Sequence, residues 1–180
     1  MLLSLINVCC KALRPRSPKA VTRRHCLTFS LNGIRFGIDT RVVNKIARYQ
    51  ILAEPRGLPR AICGLFRHQG VMIPVIDIAR RYGNHPLRPG GRTCIVLVTL
   101  GVGKWKRDVG IMVDEIFGVS EFESSDLRPI PEVAHQMISV EIIEGLVKLE
   151  KDYLIVIDAW RLLPDAEMEE LVAYMRATFP

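Results

Sequence analysis

Apolar and polar residues alternate along most of the chain after residue 25, and turn-forming residues interrupt the alternation at short intervals. A period of two is typical of β-strands with one buried face, so the pattern predicts a mainly β protein built from short strands. The clearest pair of strands covers 26–31 and 34–39, on either side of Asn32 and Gly33. These two residue types tolerate positive φ at both central turn positions, so we expect a tight hairpin.

A second hairpin is predicted from 61–66 and 71–78, with a four-residue turn that ends in Gly70. Pro74 lies inside its second strand and lacks an N–H group, which indicates an edge strand or a bulge rather than the centre of a sheet. Between the two hairpins, prolines bracket a glycine in 54–59, which predicts a loop.

Four further strands are predicted in the second half of the chain, at 94–100, 109–120, 138–149 and 153–158. The second of these is long enough to need a bend, which we place at Gly118. The segment 82–92 holds two prolines and three glycines, so it is predicted to cross between two lobes, with a boundary near residue 85.

The end of the chain changes to helical periodicity, with apolar residues three or four positions apart at Met168, Leu171, Val172 and Met175. We expect an amphipathic helix within 165–180, with Asp165 as its N-cap. Two groups of four or five short strands followed by a helix favour two small β-barrels, because closure protects the edges of short-stranded sheets.

Composition supports a folded protein. The chain has 180 residues, of which 49% are hydrophobic and 24% charged, and this excludes a disordered polar chain, a collagen-like repeat and a coiled coil. No apolar run reaches the length of about 18 residues that a transmembrane helix needs. The five cysteines form no CxxC pair, so neither a disulfide framework nor a zinc knuckle is indicated. We expect a cytoplasmic location.

The positive charge is concentrated before residue 25. Six basic residues occur there without an acidic residue, and they equal the formal net charge of +6; they are Lys11, Arg14, Arg16, Lys19, Arg23 and Arg24. Two prolines among them prevent a helix, so 1–24 is predicted to be a flexible basic arm. Such an arm fits contact with nucleic acid or anionic lipid, and it also fits a solvated leader, which is the favoured interpretation.

No arrangement of catalytic residues is evident in the sequence. The run 101–104 lacks the glycine and hydroxyl spacing of a phosphate-binding loop, and the histidines lack metal-ligand spacing. Asp114 and Glu115 should point to opposite faces of a strand, and Cys63 and Cys94 lie in apolar strands where a thiol is inert. We expect no enzyme, no metal and no cofactor. Hairpin tips and exposed strand edges suit recruitment of other proteins instead.

Several short motifs follow one another in order between 26 and 163. They are Phe36-Gly37-Ile38-Asp39, Val43-Asn44-Lys45-Ile46, Pro59, the runs 64–78 and 109–114, Val119, Ile130-Pro131, Gly145 and the run 154–158. Their order and spacing resemble the CheW family of chemotaxis coupling proteins. The resemblance implies two SH3-like five-stranded β-barrels with a shared core over 25–164, and no catalysis.

The resemblance also implies partners. Members of this family are scaffolds that bind the regulatory domain of a CheA-type histidine kinase and the cytoplasmic tip of a methyl-accepting chemoreceptor, without a small-molecule substrate. A module that regulates a kinase without receptors is a second possibility within the family. From another class, a small β-barrel protein that binds nucleic acid or anionic lipid through the basic arm also stays open.

Carried over by position, the resemblance assigns kinase binding to Gly64, Gln69 and Gly70. It assigns receptor binding to Val43, Lys45, Ile46 and Gln69. Each assignment has a structural alternative, since turn geometry alone would explain Gly64 and Gly70. Packing in the core would likewise explain why Val43 and Ile46 are apolar.

Two positions depart from the family pattern. Lys45 stands where the family usually has glutamate, and Gln69 stands where it usually has the arginine of Asn-x-Arg-Gly. Charge mismatches of this kind discriminate strongly between partners. We therefore predict a specialised paralogue with its own kinase and receptor set, in which charge-restoring changes at Lys45 and Gln69 lower the affinity for the cognate partners.

Overall fold

The computed structural model describes residues 22–81, 85–100, 107–130, 140–150 and 152–179. Within them, ten strands form two five-stranded sheets, which confirms the mainly β prediction. Sheet 1 consists of β1 (Arg23–Leu31), β2 (Ile34–Asp39), β8 (Glu115–Glu123), β9 (Ile143–Lys148) and β10 (Tyr153–Ile157). Sheet 2 consists of β3 (Val43–Arg48), β4 (Ile62–His68), β5 (Val71–Ile76), β6 (Cys94–Leu100) and β7 (Arg107–Val113). Helix α1 (Ile78–Arg81) follows β5, and helix α2 (Asp165–Thr178) follows β10.

Both sheets have the same topology, although they take their strands from different parts of the chain. The spatial order is β8-β1-β2-β10-β9 in sheet 1 and β3-β6-β7-β5-β4 in sheet 2. In each sheet the third and fourth strands pair in parallel and the other neighbours are antiparallel. Sheet 2 uses five consecutive strands, whereas sheet 1 joins the first two strands of the chain to the last three. The two sheets are therefore circular permutations of one arrangement.

This topology contradicts the predicted lobe boundary near residue 85. The strands on either side of 82–92, β5 and β6, both belong to sheet 2, so that segment does not connect the sheets. The chain instead enters sheet 2 between β2 and β3 and returns to sheet 1 between β7 and β8. Turn-forming residues in 82–92 indicated a loop, but a loop alone carries no information about which sheet follows it.

The return to sheet 1 lies at Asp114. The predicted strand 109–120 is two strands in different sheets, so the bend is at Asp114 and not at Gly118. The carboxylate of Asp114 accepts a hydrogen bond from the backbone N–H of Asn32 at 2.6 Å, and its own N–H donates to the carbonyl of Ser30 at 3.0 Å. The first hairpin thus fixes the position at which the chain passes from sheet 2 to sheet 1. Gly118, with φ 119°, marks a bulge where the pairing of β8 with β1 shifts.

The two predicted hairpins are present. Asn32 and Gly33 have φ of 49° and 78°, as the first turn requires. The second turn contains only Gln69 and Gly70, with φ of 50° and 83°, because β4 extends to His68 and pairs it with Val71. The four-residue turn predicted there is therefore wrong.

The prediction that Pro74 lies in an edge strand or at a bulge is also wrong, since its pairing is regular. β5 lies between β7 and β4 in sheet 2. Pro74 pairs with Leu65 of β4, while the pairing of β5 with β7 is confined to Val75 and Ile76. Pro74, which has no N–H group to donate, therefore lies just before the residues that pair with β7. An inner strand can accept a proline at such a position because no hydrogen bond to the neighbouring strand is lost.

One large core joins both sheets and α2. Buried side chains from sheet 1, such as Phe29 and Ile38, belong to the same cluster as Ile111 of sheet 2 and Leu171 and Met175 of α2. α2 therefore packs on its own chain. Pro164, not Asp165, occupies the N-cap position, so the predicted cap is wrong, and Asp165 lies in the first turn, where its charge favours the helix dipole.

Most of the predicted basic arm, 1–21, lies outside the described residues, as do 101–106 and 131–139. Arg23 and Arg24 do not belong to an arm, because they begin β1. The Arg24 guanidinium bonds both carboxylate oxygens of Glu144, at 2.5 and 2.8 Å, and lies over the Phe122 ring. Within the described residues, no helix is both long and apolar enough to cross a membrane.

Candidate partner-binding site

The six predicted site residues lie on the two outermost strands of sheet 2 and on the turn that follows one of them. Val43, Lys45 and Ile46 are on β3, Gly64 is on β4, and Gln69 and Gly70 form the turn between β4 and β5. β3 and β4 are at opposite ends of the strand order. Sheet curvature nevertheless brings these two edges together, as two contacts show.

The first contact joins Lys45 and His68. The Lys45 ammonium nitrogen lies 3.3 Å from Nε2 of His68, whose ring stacks on Phe66 with centroids 5.7 Å apart. A neutral imidazole with Nε2 unprotonated accepts a hydrogen bond from lysine in this geometry. Because Gln69 follows His68 directly, the two positions that depart from the family pattern lie at the same place in the structure.

The second contact is a backbone bridge between Ala53, in the segment after β3, and Leu65 of β4. The Ala53 N–H donates to the Leu65 carbonyl at 3.0 Å, and the Leu65 N–H donates to the Ala53 carbonyl at 2.7 Å. A Cβ at buried Gly64 would lie 2.7 Å from the Leu52 Cβ and 2.9 Å from the Ala53 oxygen. Glycine at this position therefore allows the chain's own backbone to approach β4.

Gly70 and Gln69 have different roles in the turn. A Cβ at Gly70 would meet nothing within 4 Å, so its positive φ is what requires glycine. Gln69 is exposed and takes positive φ although it is not glycine, which is uncommon. The turn therefore leaves the Gln69 side chain exposed directly after His68.

The apolar candidates on β3 separate into one core residue and one surface residue. Val43 is half-buried and packs against the large core, as the structural alternative predicted. Ile46 is exposed to 44%. Between them Asn44 forms a bulge and donates from its side chain to Thr99 and to Asp108. Of this pair, Ile46 offers apolar surface to a partner.

Sequence reasoning missed the positive charge of sheet 2. Segment 41–81 contains eight lysines and arginines and only two acidic residues, Glu54 and Asp77. Asp77 is buried, and its carboxylate accepts hydrogen bonds from the backbone N–H groups of Arg80 and Leu87. Counting charge by segment would have found this cluster, because the acidic residues of the second half cancel it in the total.

Two of the three described thiols, those of Cys26 and Cys63, are held in the neutral form by burial. Burial raises the pKa of Cys63 to about 12 and that of Cys26 to about 11. The Cys63 thiol lies 3.3 Å from the carbonyl of Val75, and the half-buried Cys94 thiol lies 3.4 Å from the carbonyl of Arg92. In the part of the chain that the structure describes, no three histidine, cysteine or acidic side chains are grouped to hold a metal ion.

An open cleft of about 460 Å³ at the end of sheet 1 is lined by five charged side chains, which are Arg24, Asp39, Arg41, Glu144 and Asp158. Each of them lies within 4.0 Å of an oppositely charged side chain. Hydrogen bonds from Arg41 hold the pKa of Asp39 below its ordinary value, and the hydrogen bond to Glu144 raises the pKa of Arg24. An acid kept ionised by two arginines is unsuited to proton transfer at neutral pH. The geometry here is that of an ion-pair network.

Comparison with known proteins identifies the family to which this chain belongs. A family model, the CheW-like domain, matches residues 25–167. The chemotaxis protein CheW of Klebsiella aerogenes is 30% identical over 142 residues, covering 79% of this chain and 82% of that protein. The chemotaxis protein CheW of Treponema pallidum is 29% identical over 160 residues, covering 87% and 92%.

A solved structure shows the same fold. The scaffolding protein TtCheW from Thermoanaerobacter tengcongensis matches with a TM-score of 0.69 and 22% identity, over 84% of this chain and 94% of that one. The family match spans both sheets, and its relatives match over most of their length. This chain therefore belongs to the CheW-like domain family of non-catalytic chemotaxis adaptors.

Proposed function

We propose that this chain couples a CheA-type histidine kinase to the cytoplasmic tip of a methyl-accepting chemoreceptor by binding both. One observation carries the proposal: the candidate residues for both partners gather on the two edge strands of sheet 2 and the adjoining turn. A scaffold needs two contacts close enough for one partner to influence the other. Preformed strands suit this role because little conformational entropy is lost on binding.

On the receptor side, β3 supplies an apolar anchor and a charge. Ile46 exposes 44% of its surface, and Arg48, two positions further on, is exposed on the same face of β3. Lys45 points to the opposite face, where its ammonium group contacts His68. An exposed aliphatic side chain beside a cation is typical of a protein interface, in which an apolar centre is bordered by polar contacts. Val43 contributes by packing β3 on the core, so its role is to position the strand.

On the kinase side, we assign Gly64 an indirect role. Its Cβ position is filled by Leu52 and Ala53 of the same chain, so a side chain there displaces that segment from β4. The kinase contact then depends on the place of segment 52–53 and on the rigid Gln69-Gly70 turn. Substitution of Gly64 weakens kinase binding by deforming this edge.

The departures at Lys45 and Gln69 support a specialised paralogue. A receptor or kinase adapted to glutamate at the first position and arginine at the second meets lysine and a neutral amide here. Restoring the family residues, as Lys45→Glu and Gln69→Arg, therefore lowers the affinity for the cognate partners, since mismatched charges are strongly unfavourable.

The experiment is a pair of binding measurements by calorimetry, with the kinase regulatory domain and the receptor cytoplasmic fragment from the same organism. Wild-type chain binds both. Ile46→Asp weakens receptor binding about tenfold and leaves kinase binding unchanged, because it places a charge in an apolar contact. The matched control is Phe179→Asp, since Phe179 exposes a similar fraction, 41%, on another element. Binding of neither partner would refute the proposal.

A further inference from the structure

Three exposed cations on β3 and β4 have no carboxylate partner among the described residues. Lys45, Arg48 and Arg67 are exposed, and no carboxylate among the described residues forms an ion pair with any of them. In sheet 1, Arg24 pairs with Glu144, and Arg35 lies 3.8 Å from Asp152. The charge on β3 and β4 is thus left available.

Exposed apolar side chains accompany these cations on both faces of the edge, because Lys45 and Ile46 are consecutive on β3 and point to opposite faces. Ile46 and Arg48 are two positions apart on β3 and so project from the same face of the strand. Val71, exposed to 62%, is the cross-strand partner of His68, and His68 contacts Lys45. We call this surface the basic rim: Lys45, Ile46, Arg48, Arg67, His68 and Val71.

We propose that the basic rim binds an acidic segment of a protein partner, in which carboxylates alternate with apolar side chains. The proposal rests on the proposed function, since it names the chemistry of the partner at the same edge. Lys45 and Arg67 come from two different strands, and the contact between Lys45 and His68 brings those strands together. A segment lying along this edge meets cations on both sides.

Charge complementarity favours an acidic partner over a neutral one. Lys45, Arg48 and Arg67 are cationic side chains, and no described carboxylate lies within ion-pair distance of them. The exposed Ile46 and Val71 favour a polypeptide over nucleic acid or a lipid headgroup, because phosphate contacts use cations and polar groups and leave aliphatic side chains unused. An acidic partner would also account for the lysine at position 45, where the family usually has glutamate.

The test uses the full-length chain and a short synthetic peptide of alternating glutamate and valine, with a glutamine-valine peptide as the neutral probe. Fluorescence anisotropy should show binding of the acidic peptide that weakens with added salt, and weaker binding of the neutral one. Lys45→Glu and Arg67→Glu should each lower the affinity about tenfold. The matched control is Lys148→Glu, because Lys148 is an exposed lysine on the edge strand β9 of sheet 1 and should change little.

Four results would overturn the proposal. The first is equal loss of peptide binding in Lys148→Glu. The second is equal binding of the two peptides. The third is tighter binding of duplex DNA or phosphatidylserine vesicles through the same two residues. The fourth is self-association of the wild-type chain that either substitution abolishes, since this would make a second copy the occupant. Unfolding midpoints of all variants establish that the fold is retained.

Kinase and receptor fragments separate this inference from the proposed function. If Lys45→Glu and Arg67→Glu each lose binding to one of the two fragments, the result supports the inference and the proposed function together. If wild-type chain binds neither fragment while acidic-peptide binding still depends on the two cations, the proposed function fails and the basic rim stands. If wild-type chain binds both fragments and neither substitution changes either affinity, the inference fails together with the discriminating role of Lys45, and the coupling of kinase to receptor stands.

Discussion

Gly64 of β4 and Gly145 of β9 occupy corresponding positions in the two sheets, and each faces backbone from the segment after the opposite edge strand. A Cβ at Gly64 would lie 2.9 Å from the Ala53 oxygen, and one at Gly145 would lie 2.6 Å from the Arg128 oxygen. The residue after each glycine, a leucine in both cases, forms the backbone bridge to that same segment. One local device therefore draws the two edges of each sheet together.

Alanine at either glycine should destabilise the fold. Gly64→Ala and Gly145→Ala insert a methyl group against backbone that cannot move freely, and overpacking of this kind typically costs about 1–3 kcal/mol. The free energy of unfolding in urea measures the effect. Gly90→Ala is the control, since a Cβ at Gly90 meets nothing within 4 Å. Weaker kinase binding by Gly64→Ala at unchanged stability would instead favour direct contact with the partner.

The turn at Gln69 should be open to stabilisation. Gln69 has φ of 50°, which asparagine adopts more readily, so Gln69→Asn should raise the free energy of unfolding by up to about 1 kcal/mol. The reverse change, Asn32→Gln in the first turn, should lower it by at least as much, because it also removes the side-chain bond to the His85 carbonyl. A destabilising Gln69→Asn would show that φ at this position carries no strain.

The ion pair between Arg24 and Glu144 should tie the start of β1 to β9. The Nη1 and Nη2 atoms of Arg24 each donate a hydrogen bond to the Glu144 carboxylate, and the two side chains are 16% and 36% exposed. A double-mutant cycle with alanine at each position should give a coupling energy of roughly 0.5–1 kcal/mol in urea unfolding. Deletion of 1–21 should leave stability unchanged, whereas deletion through Arg24 should lower it. A coupling energy of zero would show that the ion pair does not hold the start of β1 against β9.

Cys26 and Cys63 should resist alkylation in the folded protein. With pKa values of about 11 and about 12, their thiolate fractions at pH 8 are on the order of one in a thousand or less. Labelling with iodoacetamide, located by mass spectrometry, should stay slow until the pH approaches 11 and become fast in urea, where the ordinary thiol pKa returns. Rapid labelling of Cys63 at pH 8 in the native state would contradict its burial against Val75.

Local structure was predictable from the sequence where a local interaction sets it. Asn32-Gly33 and the flanking alternation identified the first hairpin, and the helical spacing of Leu171 and Met175 identified α2. The strand order was not predictable, since β2 pairs in parallel with β10 across more than a hundred residues. The crossing at Asp114 was not predictable either, since two consecutive polar residues, Asp114 and Glu115, occur within one bent strand as readily as between two strands in different sheets.

An internal repeat could have indicated the shared topology. Ile62-Cys63-Gly64-Leu65 in β4 matches Ile143-Glu144-Gly145-Leu146 in β9, and Val75-Ile76-Asp77 matches Val156-Ile157-Asp158. The repeat is short and its copies are in permuted order, which makes it hard to recognise without the strand order.

The candidate site was only partly predictable. Its residues could be named by resemblance, but the contact of Lys45 with His68 depends on curvature that brings two edge strands together. The internal role of Gly64 likewise depends on where Leu52 and Ala53 lie. The charge of sheet 2 was present in the sequence but was hidden by the acidic residues of the second half.

The most direct test of the central claim is sedimentation of the kinase with vesicles that contain the receptor, in the presence and absence of this chain. The kinase should sediment with the vesicles only when the chain is present, and Ile46→Asp should reduce that recruitment at a given concentration of the chain. Equal recruitment of the kinase without the chain, or a chain that joins neither the vesicles nor the kinase, would contradict the account.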